Sequence, residues 1–589
     1  WIGLDASGTL DFGNAQSGVR YESSTTNQLL ADNIISGNAN GVRIESGCSA
    51  IALTGNRIGT NAAGNAALGN SGVGVEVVDA ALVQIGIGGQ GNLISGNGGR
   101  GVRISGSNSA WTIVRGNFIG TDSTGNFDVG NASDGIEVVD VAGVEIGGAG
   151  AGEMNLISGN NLRGLVLSGS NTTGALVMGN FIGTNLAGTA AVPNSGAGIE
   201  VNAAPGNIIG GAGFGQRNLI SGNGSIGIYV NGSNATGNII RGNLIGTDLL
   251  GLLALGNGSS GVDISSAPAN LIGGTSPGAG NVISGNGGIG VSISFSGATA
   301  NQVQGNWIGT NATGTGAIAN AADGVQIFAA PGNTIGGSAI GAGNIISGNT
   351  LSGVSLNFSG AAGNFVYGNR IGTQGDGLTA LPNGLSGVTI AFNASSNRIG
   401  GPALGQGNVI AGNTDDGIAV ESGVNNRLSG NSYFANGGLA IDLGPDGVQP
   451  PDVGDGDSGA NLLQNYPYLA AVSSDGATTT SIAGSLSSTA NATFTVELYA
   501  SAGCDASGHG EGTTYLGSTS VLSDASGAAA FLISLPVGVA NGATVTGVAI
   551  TAAGSSSEFG PCIAEDDLAL FNDGFEMGDA SAWATPLQP

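Results

Sequence analysis

Short apolar runs bounded by glycine and asparagine recur along the chain at a fixed interval. The pattern GNxIGT occurs at residues 55–60, 116–121, 179–184, 242–247, 305–310 and 368–373. Its asparagines are 63 residues apart from Asn117 to Asn369, and only the first step, from Asn56, is 61 residues. A second pattern, NLISGN and its variants, keeps the 63-residue step from Asn92 to Asn344. A fixed period of this length predicts a stacked repeat architecture.

Each repeat divides into six strand-like pieces of four or five residues. In one repeat they start at residues 227, 238, 243, 261, 270 and 281. Each piece is rich in β-branched and aliphatic residues and is flanked by turn residues, and no segment keeps a 3.6-residue apolar period, so we expect almost no helix. Three strands per turn and two turns per repeat predict an all-β fold, a right-handed parallel β-helix of about 15 coils over residues 1–443.

The composition of the repeat suggests how such coils are held together. Inward valine, isoleucine and leucine side chains are expected to stack on their equivalents in the next coil. Glycine and asparagine tolerate the left-handed backbone of tight turns. Stacked asparagine side chains are expected to form hydrogen-bonded ladders along the axis.

These repeats resemble the right-handed parallel β-helix repeat proteins of bacteria, many of which are secreted. The resemblance covers the chain up to about residue 443 and implies the fold. Function does not follow from it, because this scaffold carries pectin and alginate lyases, hydrolases, epimerases, adhesins and purely structural rods.

Residues 444–470 form a connector in which prolines and aspartates replace the repeat pattern. Asp442, Asp452, Asp455 and Asp457 are interleaved with glycine there, and spaced carboxylates are the ligands that Ca²⁺ prefers. The spacing lacks the trailing glutamate of an EF-hand loop. The sequence therefore predicts either a Ca²⁺ site or a solvated acidic linker.

Residues 471–563 show alternating strands that favour an immunoglobulin-like β-sandwich. Cys504 and Cys562 are the only cysteines in this stretch, and we expect a disulfide between them in an exported protein. The module resembles a small sandwich often appended to bacterial β-helices. The tail, residues 564–589, contains FNDGFEMGDASAW and resembles a segment found at the ends of exported proteins of Gram-negative bacteria. An extracellular, secreted or cell-surface location follows as an expectation.

Charge narrows the range of partners. The 589 residues include 12 arginines, no lysine and 39 acids, for a net charge of −27. A nucleic-acid partner is not expected, because phosphate binding needs clustered bases. No apolar run is long enough for a transmembrane helix. The arginines, mostly one per repeat, are interpreted as solubilising surface residues, and the acids at Glu76, Glu137, Glu200 and Asp263 as a solvated stripe.

Catalytic chemistry finds little support in the sequence. Asp415 and Asp416 in NTDDGI, together with the GHG at His509, match polygalacturonase-like hydrolases only superficially, since the basic substrate-binding motif is missing. A strand-entry turn explains the two aspartates equally well. No catalytic residue is predicted and the protein is not expected to be an enzyme. The alternative is a polysaccharide-binding or polysaccharide-cleaving β-helix, an adhesin or a lyase or hydrolase on uronate polymers.

The first residues, WIGLDASGTLDFGN, align with the middle of a repeat at 307–320. We therefore expect the N-terminal coil to be completed by another copy, giving a head-to-tail homopolymer, a filament or surface fibre. The alternative is a segment upstream of Trp1 that caps it. The residues expected at the joint are Trp1, Ile2, Leu570, Phe571, Phe575 and Trp583.

Overall fold

The computed structural model describes residues 1–444 and 446–565. Within that range the fold is all β, as predicted, apart from three 3₁₀ turns at Ser107–Ser109, Phe214–Gln216 and Ala460–Leu463. Three long parallel sheets of 15, 14 and 14 strands form the predicted β-helix. The chain contributes to the three sheets in rotation, which we name sheets A, B and C.

The strands of sheet A are Val19–Tyr21, Val42–Ile44, Val75–Val78, Val102–Ser105, Ile136–Val139, Leu165–Ser168, Ile199–Asn202, Ile228–Asn231, Val262–Ser265, Val291–Ser294, Val325–Phe328, Val354–Asn357, Val388–Ala391, Ile418–Val420 and Ile441–Leu443.

The strands of sheet B are Thr26–Ala31, Ser49–Thr54, Gln84–Ile85, Ile113–Val114, Glu145–Gly147, Leu176–Met178, Ile208–Ile209, Ile239–Ile240, Leu271–Gly273, Gln302–Gln304, Thr334–Gly336, Phe365–Tyr367, Arg398–Ile399 and Arg427–Leu428.

The strands of sheet C are Ile34–Ile35, Arg57–Ile58, Leu93–Ile94, Phe118–Ile119, Leu156–Ile157, Phe181–Ile182, Leu219–Ile220, Leu244–Ile245, Val282–Ile283, Trp307–Ile308, Ile345–Ile346, Arg370–Ile371, Val409–Ala411 and Ser432–Phe434.

The chain forms two compact units. Unit 1 comprises Trp1–Ser355 with Gln374–Asp376, and unit 2 comprises Leu356–Thr373 with the chain from Gly377 onward. Unit 2 contains the last coils and two antiparallel sheets. One sheet has strands Tyr468–Ser474, Thr480–Ser487 and Ala528–Leu535, and the other has strands Thr514–Leu522, Thr493–Ser501, Thr544–Thr551 and Ile563–Ala564. The immunoglobulin-like topology of this module stays a prediction.

Repetition in the sequence becomes repetition in the core. The isoleucine of each GNxIGT or NLISGN motif points inward from sheet C, and Ile94, Ile119 and Ile157 are 0% exposed and paired in register. The glycine that follows this isoleucine is required by the backbone conformation. Gly120 has φ +93, and a Cβ there would lie 2.3 Å from the Ser158 carbonyl oxygen. Only glycine fits this turn without displacing the next coil.

Buried asparagines link successive coils, as predicted. Asn92 Nδ2 donates to Asn117 Oδ1 at 2.9 Å, and Asn117 Nδ2 donates to Asn155 Oδ1 at 3.0 Å. Each side chain also binds backbone groups: Asn117 Nδ2 donates to Ile85 O at 2.7 Å, and its Oδ1 accepts the Asn92 amide at 2.9 Å. A second ladder includes Asn131, whose Nδ2 donates to the next asparagine in that ladder at 2.9 Å. Hydrogen bonds from these buried asparagine side chains therefore satisfy backbone polar groups of the turns between the sheets.

Replacing one asparagine of a ladder should lower the free energy of unfolding by a measurable amount. Asn117→Ala leaves the Asn92 amide buried without a partner and removes one of the two donors to the Ile85 carbonyl, so we expect a loss of about 2–4 kcal/mol in unfolding free energy. Urea denaturation followed by circular dichroism measures it. Asn126→Ala, at an exposed turn, is the control and should change stability by less than about 0.5 kcal/mol. Equal effects of the two variants would contradict the role of the ladder.

Candidate functional site

Arginines on the outer face of sheet A pair with acids on the neighbouring strands. Arg43 binds Glu76 at 2.6 Å, and Arg103 binds Glu76 at 3.2 Å and Glu137 at 3.1 Å. These four residues are consecutive partners in the strand register, and Glu76 is only 6% exposed. The interpretation of a solvated acidic stripe and solubilising arginines is wrong here, because the two charges alternate in one column and neutralise each other.

The same pattern extends along the margin of sheet A. The Asp134 side chain is fully buried and binds Arg163 at 2.9 Å, while Arg163 also reaches Glu200 at 2.7 Å. In the sequence, such a ladder can be recognised from the alternation of Arg and Glu at the same position of successive coils. The ladder stabilises the coils and leaves these arginines engaged.

The alternation of Arg and Glu in this column ends at Val166. Farther along the same column Asp263 lies between Tyr229 and Ser292. Its Oδ1 is buried without a hydrogen-bond partner in the described residues, and burial raises the pKa of the carboxyl to about 6. The acid thus has no arginine to neutralise it.

An apolar column runs along the outer face of sheet C in unit 1. Phe118, Leu156, Phe181 and Leu219 are consecutive register partners, and the column continues through Leu244, Val282 and Trp307. Towards the N-terminus the column continues as Leu93, Arg57 and Ile34, and the bridge of Ile2 to Ile35 places Trp1 beyond Ile34. Trp1 is 57% exposed. The column forms a second apolar cluster, in which Leu219, Leu244 and Val282 are at most 4% exposed and Phe181 and Trp307 pack against them.

Two rows of loops rise beside this column and enclose a groove. Two adjoining cavities, of about 390 and 410 Å³, occupy it and share Met154 in their lining. The larger is lined by Phe181, Phe214, Leu219 and Leu244, with Arg217 as the cationic residue. Size and lining are those of a ligand site, an apolar surface with few polar groups.

Arg217 and Arg241 differ from the arginines of the ladder. Neither has an ion pair or a side-chain hydrogen bond in the part of the chain that the structure describes. Arg115, by contrast, pairs with Glu145 at 2.5 Å and with Glu153 at 2.8 Å. Arg241 occupies the position equivalent to Arg115 two repeats later. Leucine and alanine stand there in place of the two glutamates, and the Arg241 Nε is buried without a hydrogen-bond partner in the described residues. These arginines keep their charge unneutralised.

The acidic connector brings three of its four predicted ligands together. Carboxylate oxygens of Asp452, Asp455 and Asp457 lie within 4.8 Å of one another. Asp452 Oδ1 is buried without a hydrogen-bond partner in the described residues. The structure does not bring Asp442 to this group. Asp442 lies on the last strand of sheet A, and its Oδ1 accepts the Gly447 amide at 3.2 Å.

Side chains of the C-terminal module cover the last coil within unit 2. Glu497, 1% exposed, accepts the Gly430 amide at 3.1 Å and the Ser429 hydroxyl at 2.5 Å. The Ser556 hydroxyl accepts the Leu428 amide at 2.9 Å. The module thus replaces the hydrogen-bond partners that a further coil would supply.

The other residues that the sequence analysis singled out take part in structural contacts or lie outside the described residues. Cys504 and Cys562 form a disulfide with Cα atoms 6.0 Å apart, while Cys48 is buried and free. His509 Nδ1 lies 3.0 Å from Phe559 O, and its ring packs against Tyr466. Leu570, Phe571, Phe575 and Trp583 lie outside the described residues.

Asp416 belongs to a group of acids in unit 2 with raised pKa values. Its Oδ1 accepts the Leu439 amide at 2.8 Å. Burial, and then the charge of Asp442, raises its pKa to about 7. Burial likewise raises the pKa of Glu558 to about 7, although Glu558 accepts the Leu443 amide at 3.0 Å. These carboxyls are adapted to a protonated state in slightly acidic solution.

No protein-family model matches the chain, and no curated protein matches it. Among solved structures, it resembles the A-module of the mannuronan C-5 epimerase AlgE6 of Azotobacter vinelandii, with 17% identity over 70% of this chain and 84% of that one and a TM-score of 0.22. It also resembles a double mutant of the tailspike protein of E. coli bacteriophage HK620, with 10% identity over 91% and 82% and a TM-score of 0.19. Likeness at this level carries no argument about function. Within the described residues, no helix is long and apolar enough to cross a membrane.

The raised pKa of Asp416 predicts a pH dependence of stability. Between about pH 4 and 7 the folded carboxyl keeps a proton that the unfolded chain releases, so this group makes stability fall as the pH rises. Asp416→Asn keeps the acceptor for Leu439 and removes that fall. We expect the variant to be more stable than the wild type at pH 8, by on the order of 2 kcal/mol after allowance for partial solvation, and equal at pH 4.

Urea denaturation from pH 4 to 8 measures this difference. Asp415→Asn, at the exposed neighbour whose charge contributes less than burial to the raised pKa of Asp416, is the control and should reduce the slope of stability against pH less than Asp416→Asn does. An unchanged slope in Asp416→Asn would show that this carboxyl ionises normally in the folded protein.

Proposed function

We propose that the protein is a non-catalytic, extracellular structural β-helix that associates head to tail with further copies, giving a filament or surface fibre. In this arrangement a neighbouring subunit completes the N-terminal coil. The observation that supports it is the outer edge of the first coil in unit 1. Strands Val19–Tyr21 and Thr26–Ala31 each pair on one side only within the described residues.

The side chains at this edge are suited to association. Leu29, in strand Thr26–Ala31, is 65% exposed, and Trp1, next to the bridge residue Ile2, is 57% exposed. Unpaired strand edges with apolar side chains favour the addition of another strand. The last coil in unit 2 is different, because Glu497, Ser555 and Ser556 bind its amides. A heterologous contact of this kind does not close and extends into a filament.

The rival arrangement is a segment preceding Trp1 in a longer polypeptide that covers the same edge. Both arrangements use the same backbone groups. They differ in their dependence on protein concentration, since only association between copies follows mass action.

Electron microscopy and sedimentation velocity of the purified chain test the proposal. We expect filaments whose length grows with concentration, and Leu29→Asp should raise the concentration needed for assembly at least tenfold, because it places a charge at an apolar joint. Leu532→Asp, at a 78% exposed leucine of the C-terminal module, is the matched control and should assemble normally. A wild-type chain that stays monomeric at all concentrations would refute head-to-tail association.

We further propose that Asp452, Asp455 and Asp457 bind Ca²⁺ in the connector. Their oxygens converge, and the buried Asp452 Oδ1 lacks any other partner in the described residues. Asp455 is already oriented by the Asn465 amide, which donates to its Oδ1 at 3.0 Å. A hard cation with several oxygen ligands fits this set.

Isothermal titration calorimetry with Ca²⁺ tests this site. We expect saturable binding with a stoichiometry of one, and Asp457→Asn should weaken it about tenfold or more by removing one charged ligand. Asp446→Asn, in the same connector but outside the three, should bind normally. Equal affinities for both variants, or heat that does not saturate, would identify the connector as a solvated acidic linker.

A further inference from the structure

The groove on sheet C has a feature that the proposed function leaves unused. Its floor is the apolar column of sheet C, with Arg57 near the N-terminal end, and its cavities of about 390 and 410 Å³ adjoin at Met154. Phe214, at the tip of one wall, is 92% exposed. Phe214 therefore adds a large exposed aromatic side chain to the apolar lining of the larger cavity, and contiguous exposed apolar surface is typical of interaction sites.

The charges of the groove select an anionic occupant. Arg57 lines the first cavity and Arg217 the second. Arg57 donates only to a backbone carbonyl, that of Ala62, and Arg217 has no side-chain partner in the described residues. Six other arginines of this chain, whose net charge is −27, are bound to acids at short range, whereas Arg57 and Arg217 have no acidic partner in the described residues and can bind an anionic ligand.

One segment of this chain has the complementary composition. Residues 566–589 lie outside the described part and follow directly after Glu565. The segment has no basic residue, and its acids are Asp566, Asp567, Asp573, Glu576 and Asp579. Between them stand the apolar residues Leu568, Leu570, Phe571, Phe575, Met577 and Trp583. Apolar side chains match the floor, and interspersed carboxylates match the arginines.

The length and the walls are compatible with a peptide. Twenty-four extended residues span up to about 80 Å, more than the stretch of coils that the two cavities cover. The wall loops are rich in glycine, including Gly148, Gly150 and Gly215, so a peptide backbone can approach them closely. A glycan fits less well, because the larger cavity offers its hydroxyls few polar side chains.

We propose that the groove on sheet C binds the C-terminal segment, residues 566–589, of another copy of this chain. This inference rests on the proposed head-to-tail association and adds a second contact to the joint at the first coil: the segment enters beside Trp1 and extends along the apolar column. Arg57 and Arg217 bind its carboxylates, and Phe214 covers one of its apolar side chains.

Binding of a labelled synthetic peptide of residues 566–589 tests the site directly. The receptor is the full chain carrying Phe571→Ser and Phe575→Ser, which weaken its own segment as a competitor. We expect fluorescence anisotropy to report saturable binding that weakens with added salt, since ion pairs contribute. Phe214→Asp or Arg217→Glu in the receptor should weaken it at least tenfold.

Ile340→Asp is the matched control. Ile340 is 99% exposed in the corresponding loop of another repeat and does not line the two cavities. It should bind the peptide normally. Charge reversal gives a second control: a peptide with Glu576→Arg and Asp579→Arg should bind the Arg217→Glu receptor better than the wild-type peptide does.

The outcomes separate this inference from the proposed function. Filaments from the wild-type chain together with a peptide that does not bind, or that binds irrespective of Phe214 and Arg217, would overturn the groove while head-to-tail association stands. If an oligogalacturonate binds in an Arg217-dependent way and the peptide does not, the occupant is a polysaccharide and the inference fails. Peptide binding with a monomeric wild-type chain would show that the groove takes this segment without joining two copies, which overturns both the inference and the filament.

Discussion

Hydrogen bonding between identical side chains in successive coils holds this structure in register. Asn92, Asn117 and Asn155 each donate to the next asparagine and to a backbone carbonyl, and each accepts a backbone amide. A coil shifted by one residue would lose all of these partners while its polar groups stayed buried, which is costly. Core packing adds to the same effect, because Ile94, Ile119 and Ile157 stack without exposure. Strands of two residues suffice under this constraint.

The same requirement explains the C-terminal module. A coil without a successor leaves amides that need acceptors, and Glu497, Tyr499 and Ser556 supply them from an unrelated antiparallel fold. Burying Glu497 at 1% exposure is tolerated because the Gly430 amide, the Ser429 hydroxyl and the Tyr499 hydroxyl all donate to it. Glu558 serves the Leu443 amide in the same way, and its raised pKa is the cost of that burial. The module therefore acts on the last coil through side chains.

Departures from the repeat carry the functional information. Six of the 12 arginines form short ion pairs with acids, as Arg103 does with Glu76 and Glu137. Arg241 retains the arginine of this arrangement after both glutamates have been replaced, and Arg217 faces a cavity that no acid shares. In a repeat protein, a charge that loses its partner while the scaffold stays constant marks a surface adapted to another molecule. The groove on sheet C combines such a charge with an apolar floor.

The 63-residue period by itself determined the β-helix, the three strands per coil, the near absence of helix and the asparagine ladders, because stacking requires the same residue at the same place in each coil. Cysteine count alone also indicated the Cys504–Cys562 pair. Only the tertiary structure decided which charges meet. Arg43 and Glu76 are 33 residues apart and adjacent in space, and Asp442 lies apart from the connector aspartates although it is near them in sequence. The groove was equally hidden, since its floor and walls come from different coils whose contact depends on the length of each loop.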